Sequence, residues 1–372
     1  MVKVCREMKA MLLADVNFKD NKMIGVHKKY EYIYTAIKNN NIDVDYVYRE
    51  NNYLLFRDKN GQILRKIYIT TQEKYNIILN KIIEKKYDFI IIRYILSDIF
   101  LINFIKKIKK IGIKIVLEFP TFPYEKEISN NNILDIDKYF REELRNIVDL
   151  SVTYNNVGKI FGIPNIFIGN GIDVKAKKIL KYKPLNINSI NIIGVANVSK
   201  WHGYDRVISG ISDYISKTNK RNINFWIIGN GDEVSNLNNL AFNLKVEENI
   251  KFFGFKEGEE LEKIYSEADI GIGPLSRKRI EMNGGSALKN REYCAIGLPF
   301  IFAGYDPDFD QFKYSYKIED DETPVNIMKV LEFLKKIKNE KEQYIFNMRK
   351  YAEDNLEWSK KIKEIINKLY SI

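Results

Sequence analysis

Short β-rich runs alternate with helical patterns along nearly the whole chain, and the alternation restarts once. The first series runs "AMLLADV", a helix near "GVHKKYEYIYTAIKNN", "VDYVYR", "YDFIIIRY", a lysine-rich helical stretch, "IKIVLEFP", a helix near "DIDKYFREELRNIV", "LSVTY" and "NIFIGNGID". Strand, crossover and strand in this order make a parallel sheet with helices on its faces. Around residues 175–189, "KAKKILKYKPLNINS" offers Lys, Asn, Ser and Pro without strand periodicity and reads as a linker. The pattern then begins again with "INIIGVANV", "INFWIIGNG", "IKFFGF", "DIGIGPL" and "PFIFAGY", each separated from the next by a helical segment. At the end, Ile362, Ile365, Ile366 and Leu369 recur at helical spacing, so an amphipathic helix closes the chain.

The expected architecture is therefore α/β, with two doubly wound, Rossmann-like domains. A length of 372 residues suits two domains, since one domain ordinarily takes about 100–200 residues. The boundaries expected are 1–177 for the first domain, 178–189 for the linker, 190–355 for the second domain and 356–372 for the last helix. Open α/β sheets bind ligands at the carboxyl ends of their strands, and a cleft between two such domains is where two substrates meet.

Composition excludes several classes. No apolar run approaches the ~20 residues of a membrane span, and the N-terminal "MVKVCREMKAMLLADVNF" lacks a signal-peptide core, so a cytoplasmic location is expected. Cys5 and Cys294 are the two cysteines and His27 and His202 the two histidines, too few for a disulfide framework or a Cys/His zinc cluster. No metal site is expected. The net charge of +11 is read first as a lysine bias spread over the surface. The sharper alternative lies in "FIKKIKKIGIKI", where Lys106, Lys107, Lys109 and Lys110 interleave with isoleucines, as in a helix that meets an anionic membrane or an anionic substrate. No nucleic-acid motif is present, and no nucleic-acid partner is expected.

Chemistry concentrates in "NGGSALKNREYCAIGLPFI", residues 283–301. Gly297 and Pro299 end a helix and lead into a buried strand. Gly284 and Gly285 precede that helix, whose start offers backbone N–H groups to an anion, and Lys289, Arg291 and Glu292 crowd its length. A carboxylate such as Glu292 only accepts hydrogen bonds, and a vicinal diol offers two donors close together. The alternative is a helix cap with surface salt pairs.

These residues carry a resemblance. "REYCAIGLPFI" resembles the Glu-(Ala)-x-Ala-x-Gly-x-Pro signature of the retaining GT-B glycosyltransferases of glycosyltransferase family 4 (glycosyl transferases group 1), with Glu292, Ala295, Gly297 and Pro299 in register. "IFGIP" (160–164), "IGNGIDV" (168–174), "IIGVANVSKWHGYDRVI" (192–208), "IIGNGDE" (227–233) and "FFGFKEGEELEKIYSEADIGIGPL" (252–275) are similar to further stretches of that family. The segment "IVLEFPTFPYEKE" (115–127) is similar to its capsule and surface-polysaccharide members.

The resemblance implies a GT-B architecture, two domains facing across a cleft with the C-terminal helix crossing back to the N-terminal domain. It implies a metal-independent, retaining transfer from a UDP- or GDP-sugar to a glycan or lipid-linked acceptor, without a cofactor, in bacterial surface-polysaccharide synthesis. The expected location is cytoplasmic with peripheral contact at the inner membrane face. Donor contacts fall on Gly25, Asn197, His202, Gly229, Phe255, Asn283, Gly284, Gly285, Ser286, Lys289 and Glu292. Within this set Glu292 takes the ribose, Lys289 and the helix start take the diphosphate, and Phe255 lies against the base or packs in the core. Lys289, Arg93 and Lys200 are the expected catalytic residues, and Glu118, Thr121 and Tyr124, with Glu127 beside them, the expected acceptor contacts.

Three positions depart from the family pattern. Asn197 and His202 stand where an Arg and a Lys neutralise the leaving diphosphate, so the cation is expected to have moved to Lys200, Lys289 or Arg291. Gly284 stands where a second glutamate reads the donor sugar, which leaves Glu281, Asn283 or the "GGSA" backbone for that contact. Two rival readings follow: a nucleotide-sugar epimerase of the same architecture, and a non-catalytic partner protein. "IIGNGDE" lacks the third glycine of the dinucleotide fingerprint, which disfavours NAD.

Overall fold

The computed structural model describes residues 7–20, 23–125, 128, 130–154, 158–282 and 284–372. The chain forms two compact units, residues 1–168 with 358–372 and residues 169–357.

The first unit is built on a sheet of β1 (Lys9–Asn17), β2 (Asp43–Glu50), β3 (Tyr53–Arg57), β4 (Ile63–Ile67), β5 (Phe89–Arg93), β6 (Lys114–Phe119), β7 (Leu150–Thr153), β8 (Lys159–Ile160) and β9 (Ile163–Phe167). Its helices are α1 (Ile24–Asn39), α2 (Thr71–Lys85), α3 (Ile99–Lys110), α4 (Asn131–Arg141), the single turn α5 (Leu144–Ile147) and the C-terminal helix Trp358–Ser371. The strand order is β4-β3-β2-β1-β5-β6-β7-β9-β8. Strands β2, β1, β5, β6, β7 and β9 run parallel; at the edges β3 pairs antiparallel with both β2 and β4, and β8 pairs antiparallel with β9.

Side chains of β5 alternate between two cores, as the two-residue period of a strand requires. Ile90 and Ile92 pack with Ile78 and Ile82 of α2 and Ile102, Ile105 and Ile108 of α3. Phe89 and Ile91 pack on the other face with Ile33 and Ile37 of α1 and with Ile362 and Ile365 of the C-terminal helix. The lysines of α3 are thereby left outside its buried stripe, and two of them are paired: Lys106 with Glu143, and Lys109 with Asp149 at 2.5 Å.

The hairpin β3–β4 is the chief departure from simple alternation. Its turn is made by Asp58, whose Oδ1 accepts from the N–H groups of Asn60 and Gln62 at 2.9 Å each, and by Gly61 at φ +86°. All five residues of β4 are exposed, so the strand lacks the apolar alternation that marks a half-buried strand.

The second unit has a wholly parallel sheet of β10 (Ile190–Val195), β11 (Ile223–Ile228), β12 (Ile250–Gly254), β13 (Ile270–Ile272), β14 (Phe300–Ala303) and β15 (Ser315–Ile318). Its helices are α6 (Tyr204–Thr218), α7 (Val234–Asn243), α8 (Gly258–Glu267), α9 (Leu288–Ile296), α10 (Ile327–Lys338) and α11 (Gln343–Asn355). The strand order β12-β11-β10-β13-β14-β15 reverses direction between β10 and β13. At such a reversal the loops following the two strands diverge and leave a crevice, the usual ligand position in an open α/β sheet.

Helices cover both faces, with Val207 and Ile211 of α6 in one core and Tyr293 and Ile296 of α9 in the other. Among the described residues, no helix is long and apolar enough to cross a membrane.

Candidate functional site

The loops after β10 and β13 meet at the reversal in the second unit. A short 3-10 turn, Lys200–His202, follows β10, and another, Arg277–Ile280, follows β13. They are stitched together by the N–H of Leu275 donating to the carbonyl of His202 at 3.1 Å and that of Ser276 to Trp201 at 3.2 Å. The chain then passes through Gly284 and Gly285 into α9, which ends on Gly297 in the left-handed region.

Helix α9 divides its charges between two faces. Glu292, with 12% of its side chain exposed, accepts from Lys289 at 2.7 Å and from Lys177. Burial pushes the carboxyl up, and the ammonium groups of Lys289 and Lys177 outweigh this, holding it below the ordinary value. Glu292 also lines an 870 Å³ cavity with Lys177, Leu180, Leu261, Tyr265 and Ile296. Each carboxylate oxygen retains a second lone pair, so a diol entering this cavity can be accepted without displacing either lysine.

On the inward side, Arg291 is fully buried and forks onto Asp306, with a further bond to Asp308. Its guanidinium is thus committed inside the protein.

Gly284 and Gly285 are both buried and both at positive φ, +82° and +142°. A Cβ on Gly284 would lie 2.5 Å from the carbonyl oxygen of Tyr305, which excludes any side chain at the position where a second carboxylate was expected. Asn283 lies outside the described residues. Ser286 is buried and bound to Asn170 through both its hydroxyl and its carbonyl, which pins the loop before α9. Gly284→Ala is expected to lower the stability of the second unit by about 1–3 kcal/mol, read as a shift of the urea midpoint. An unchanged midpoint would show that the loop can yield.

The other expected donor residues of this unit occupy neighbouring strand ends. Asn197 and Lys200 are exposed after β10. His202 is buried against Trp201, with ring centroids 3.8 Å apart, and burial lowers its pKa to about 4, so it is a neutral ring at neutral pH. It accepts from the N–H of Ser199 at 3.1 Å. Gly229, at φ +117°, lets the loop after β11 approach the β10 loop, since a Cβ there would lie 1.8 Å from the carbonyl oxygen of Ala196. Phe255, directly after β12, is 66% exposed and is therefore not a core residue.

One residue that the sequence reading passed over stands out. Arg277 is 7% exposed and makes no ion pair among the described residues; it donates to the carbonyl of Gly284 at 3.3 Å. Only its place in "LSRKRI", at the end of a strand run, hinted at it.

In the first unit, the expected residues gather at the carboxyl ends of β5 and β6, where Arg93 and Glu118 are paired in register. Glu118 is buried and bound by Lys29 at 2.8 Å and by the hydroxyl of Tyr30. Burial raises its carboxyl, and Lys29 chiefly brings it below the ordinary value. Lys29 itself lies 3.6 Å from the ring centre of Tyr154.

Tyr124 is buried too. Its hydroxyl donates to Asp137 at 2.6 Å and accepts from Arg141 at 3.0 Å, within a network that includes Tyr94 and Ser97. Two of the three side chains expected to meet an acceptor, Glu118 and Tyr124, are thus occupied by internal partners. Thr121 is half-buried beside the cis Phe122–Pro123 bond, Arg93 is half-buried with its Nε atom unpartnered, and Gly25 lies in the first turn of α1. Glu127 lies outside the described residues.

Residues 177–311 match the family model described as "Glycosyl transferases group 1". That stretch contains α9, the glycine pair and both 3-10 turns. No curated protein sequence matches the chain.

Solved structures of similar fold extend over 98% of the chain. A glycosyltransferase from Rickettsia africae is 12% identical with a TM-score of 0.66, and the match covers 99% of that chain. HepE from Anabaena, in complex with UDP, is 13% identical with a TM-score of 0.63, and all of that chain is covered. The lipopolysaccharide outer core galactosyltransferase WaaB is 13% identical with a TM-score of 0.59 and 99% of its chain covered. The fold is α/β with two Rossmann-like sheets, as in these GT-B glycosyltransferases.

Proposed function

We propose that the chain is a retaining glycosyltransferase that moves a sugar from a nucleoside-diphosphate donor to a glycan or lipid-linked acceptor, without a metal ion or resident cofactor. The observation that carries this reading is Glu292, kept ionised between Lys177 and Lys289 on the wall of a cavity, one turn into a helix that begins after two buried glycines. Glu292 accepts the ribose hydroxyls. Lys289 and the N–H groups at the start of α9 face the diphosphate. Phe255, exposed beside Gly254, lies against the base.

In the reaction the bond from the sugar's anomeric carbon to the diphosphate breaks and a bond to the acceptor oxygen forms on the same face. The departing phosphate oxygen takes the acceptor proton. The protein's part is to stabilise the charge that develops there and to exclude water. On the acceptor side, Arg93 and Thr121 offer polar atoms, with Glu118 and Tyr124 supporting them from behind. The setting is the cytoplasmic face of a membrane in surface-polysaccharide synthesis, with Lys107 and Lys110 of α3 exposed toward anionic lipid.

HepE of Anabaena was solved with UDP, which supports UDP as the first ligand to try. In a thermal-shift series with UDP, GDP and their sugars, one diphosphate is expected to raise the melting temperature, because saturation at a hundred times Kd adds about 2.7 kcal/mol to folded-state stability. Absence of any shift across the series would overturn the donor-site reading.

A further inference from the structure

Arginines around the β10–β13 crevice show what structural service looks like in this unit. Arg206 donates to Asp321 at 2.7 Å and to the carbonyls of Thr323 and Glu319 at 2.7 and 3.1 Å. Arg279 holds Asp205 at 2.7 Å and also Glu322. Arg291 holds Asp306 and Asp308. Arg277 differs from all three. It is as enclosed as a core residue, has no carboxylate within ion-pair distance among the described residues, and is met by a single carbonyl at 3.3 Å.

The nearby carboxylates are engaged elsewhere. Asp306 accepts the Arg291 fork, and Asp320 accepts from the backbone N–H of Lys278 at 3.4 Å. An enclosed cation without a counter-ion is costly, and native structures keep one where something else completes it.

The position of this guanidinium says what that is. Its Nη1 atom would lie 2.2 Å from a Cβ on Gly285, so it sits directly against the glycine pair that leads into α9. Its Cζ atom is 5.8 Å from the ring centre of Trp201, in the turn after β10. Beside it in sequence, the hydroxyl of Ser276 is buried and also unpartnered.

We propose that Arg277 binds the diphosphate of the nucleotide held at the start of α9, supplying from the loop after β13 the cation that Asn197 and His202 do not provide from the loop after β10. The assignment rests on the donor-site reading above. It agrees with the state of the free guanidinium: burial and the charge of Arg291 lower its pKa to about 10 despite Asp306 and Asp320, and a bound diphosphate would reverse that bias. At neutral pH the group is charged, ready for a planar fork of hydrogen bonds to phosphate oxygens.

The test compares wild type, Arg277→Gln and Arg277→Lys by calorimetry with UDP, GDP and the matching nucleosides. Arg277→Gln is expected to weaken the diphosphate about thirtyfold, as for one or two lost charge-assisted hydrogen bonds, and to leave the nucleoside unchanged. Arg277→Lys should recover part of the loss.

A purely structural Arg277 would weaken both ligands by the same factor, and that result overturns the proposal. If the Gln variant does not fold, the Arg277 guanidinium resonance of the wild-type chain serves instead, assigned by its loss in the Lys variant. It should move with the diphosphate and not with the nucleoside; a stationary resonance in the diphosphate complex overturns the proposal. Equal diphosphate binding by wild type and Arg277→Gln removes this assignment alone, whereas a wild type that binds neither UDP nor GDP removes the donor-site reading along with it.

Discussion

Glu292→Gln is expected to weaken nucleoside-diphosphate binding about a hundredfold and to leave the fold intact. The amide has nearly the shape of the carboxylate but keeps one acceptor oxygen, turns the other into a donor and loses the charge. Two hydrogen bonds from a ribose diol to a charged acceptor contribute about 1.5–3 kcal/mol each. Losing one and weakening the other amounts to about 3 kcal/mol, or two decades in Kd. The stability cost is small by comparison, because Lys177 and Lys289 each keep 33% of the side chain exposed and are solvated once released.

The deoxyribose analogue makes this prediction specific. Wild type should bind dUDP much more weakly than UDP, and Glu292→Gln should barely distinguish them, so the two changes are strongly non-additive. Discrimination retained in full by the variant would move the ribose contact to another residue. The pH profile provides a second check. Glu292 has its folded-state pKa depressed, so its charge persists through the neutral range and is lost only as pH falls through the depressed value. Donor affinity should therefore be flat around neutrality and decline only in acid.

What could be read in the sequence follows the range of the interactions involved. The end of α9 was legible because Gly297 and Pro299 act locally: one adopts the left-handed region at φ +82°, the other cannot continue a helix. The strands of both sheet centres were legible because their apolar runs are buried on both faces. By contrast, "NNYLLFRDKNGQILRKI" gives up its second strand poorly, since β4 buries none of its residues and its pattern carries no face.

The site was legible in its chemistry and less so in its partners. Glu118 stands at a strand's carboxyl end, which from sequence suggests ligand contact, yet the lysine that neutralises it lies 89 residues earlier in α1. Phe255 had two readings, core or ligand face, and its 66% exposure removes the first. In "LSRKRI", three adjacent cations look alike. Arg279 reaches Asp205 and Glu322, whereas Arg277 is covered by the returning glycine loop, and only the folded chain separates them.

Arg291→Met will have the largest effect on stability, because this side chain anchors the helix that carries Glu292. Removing it takes the guanidinium from Asp306 and Asp308, 1% and 8% exposed at their side chains, and leaves Asp306 with two neutral donors, the amide of Asn290 at 3.3 Å and the backbone N–H of Asp308 at 3.2 Å. Breaking a buried ion pair from one side costs about 3–5 kcal/mol, chiefly as the penalty of an uncompensated charge. Urea unfolding followed through Trp201 and Trp226, both in the second unit, should show a loss of that size.

Lysine should not rescue it, since an ammonium cannot reproduce the fork that spans both oxygens of Asp306. Combining Arg291→Met with Asp306→Asn should recover part of the loss by removing the buried charge that the guanidinium balanced. An unchanged urea midpoint in the single variant would mean that water reaches the two aspartates and that the anchor is weaker than its burial implies. If the loss appears, nucleotide affinity in the folded fraction should fall as well. Glu292 and Lys289 would then sit on a helix whose inward face is no longer fixed, and the charges of α9 would act as two coupled sets, one holding the helix and one facing the ligand.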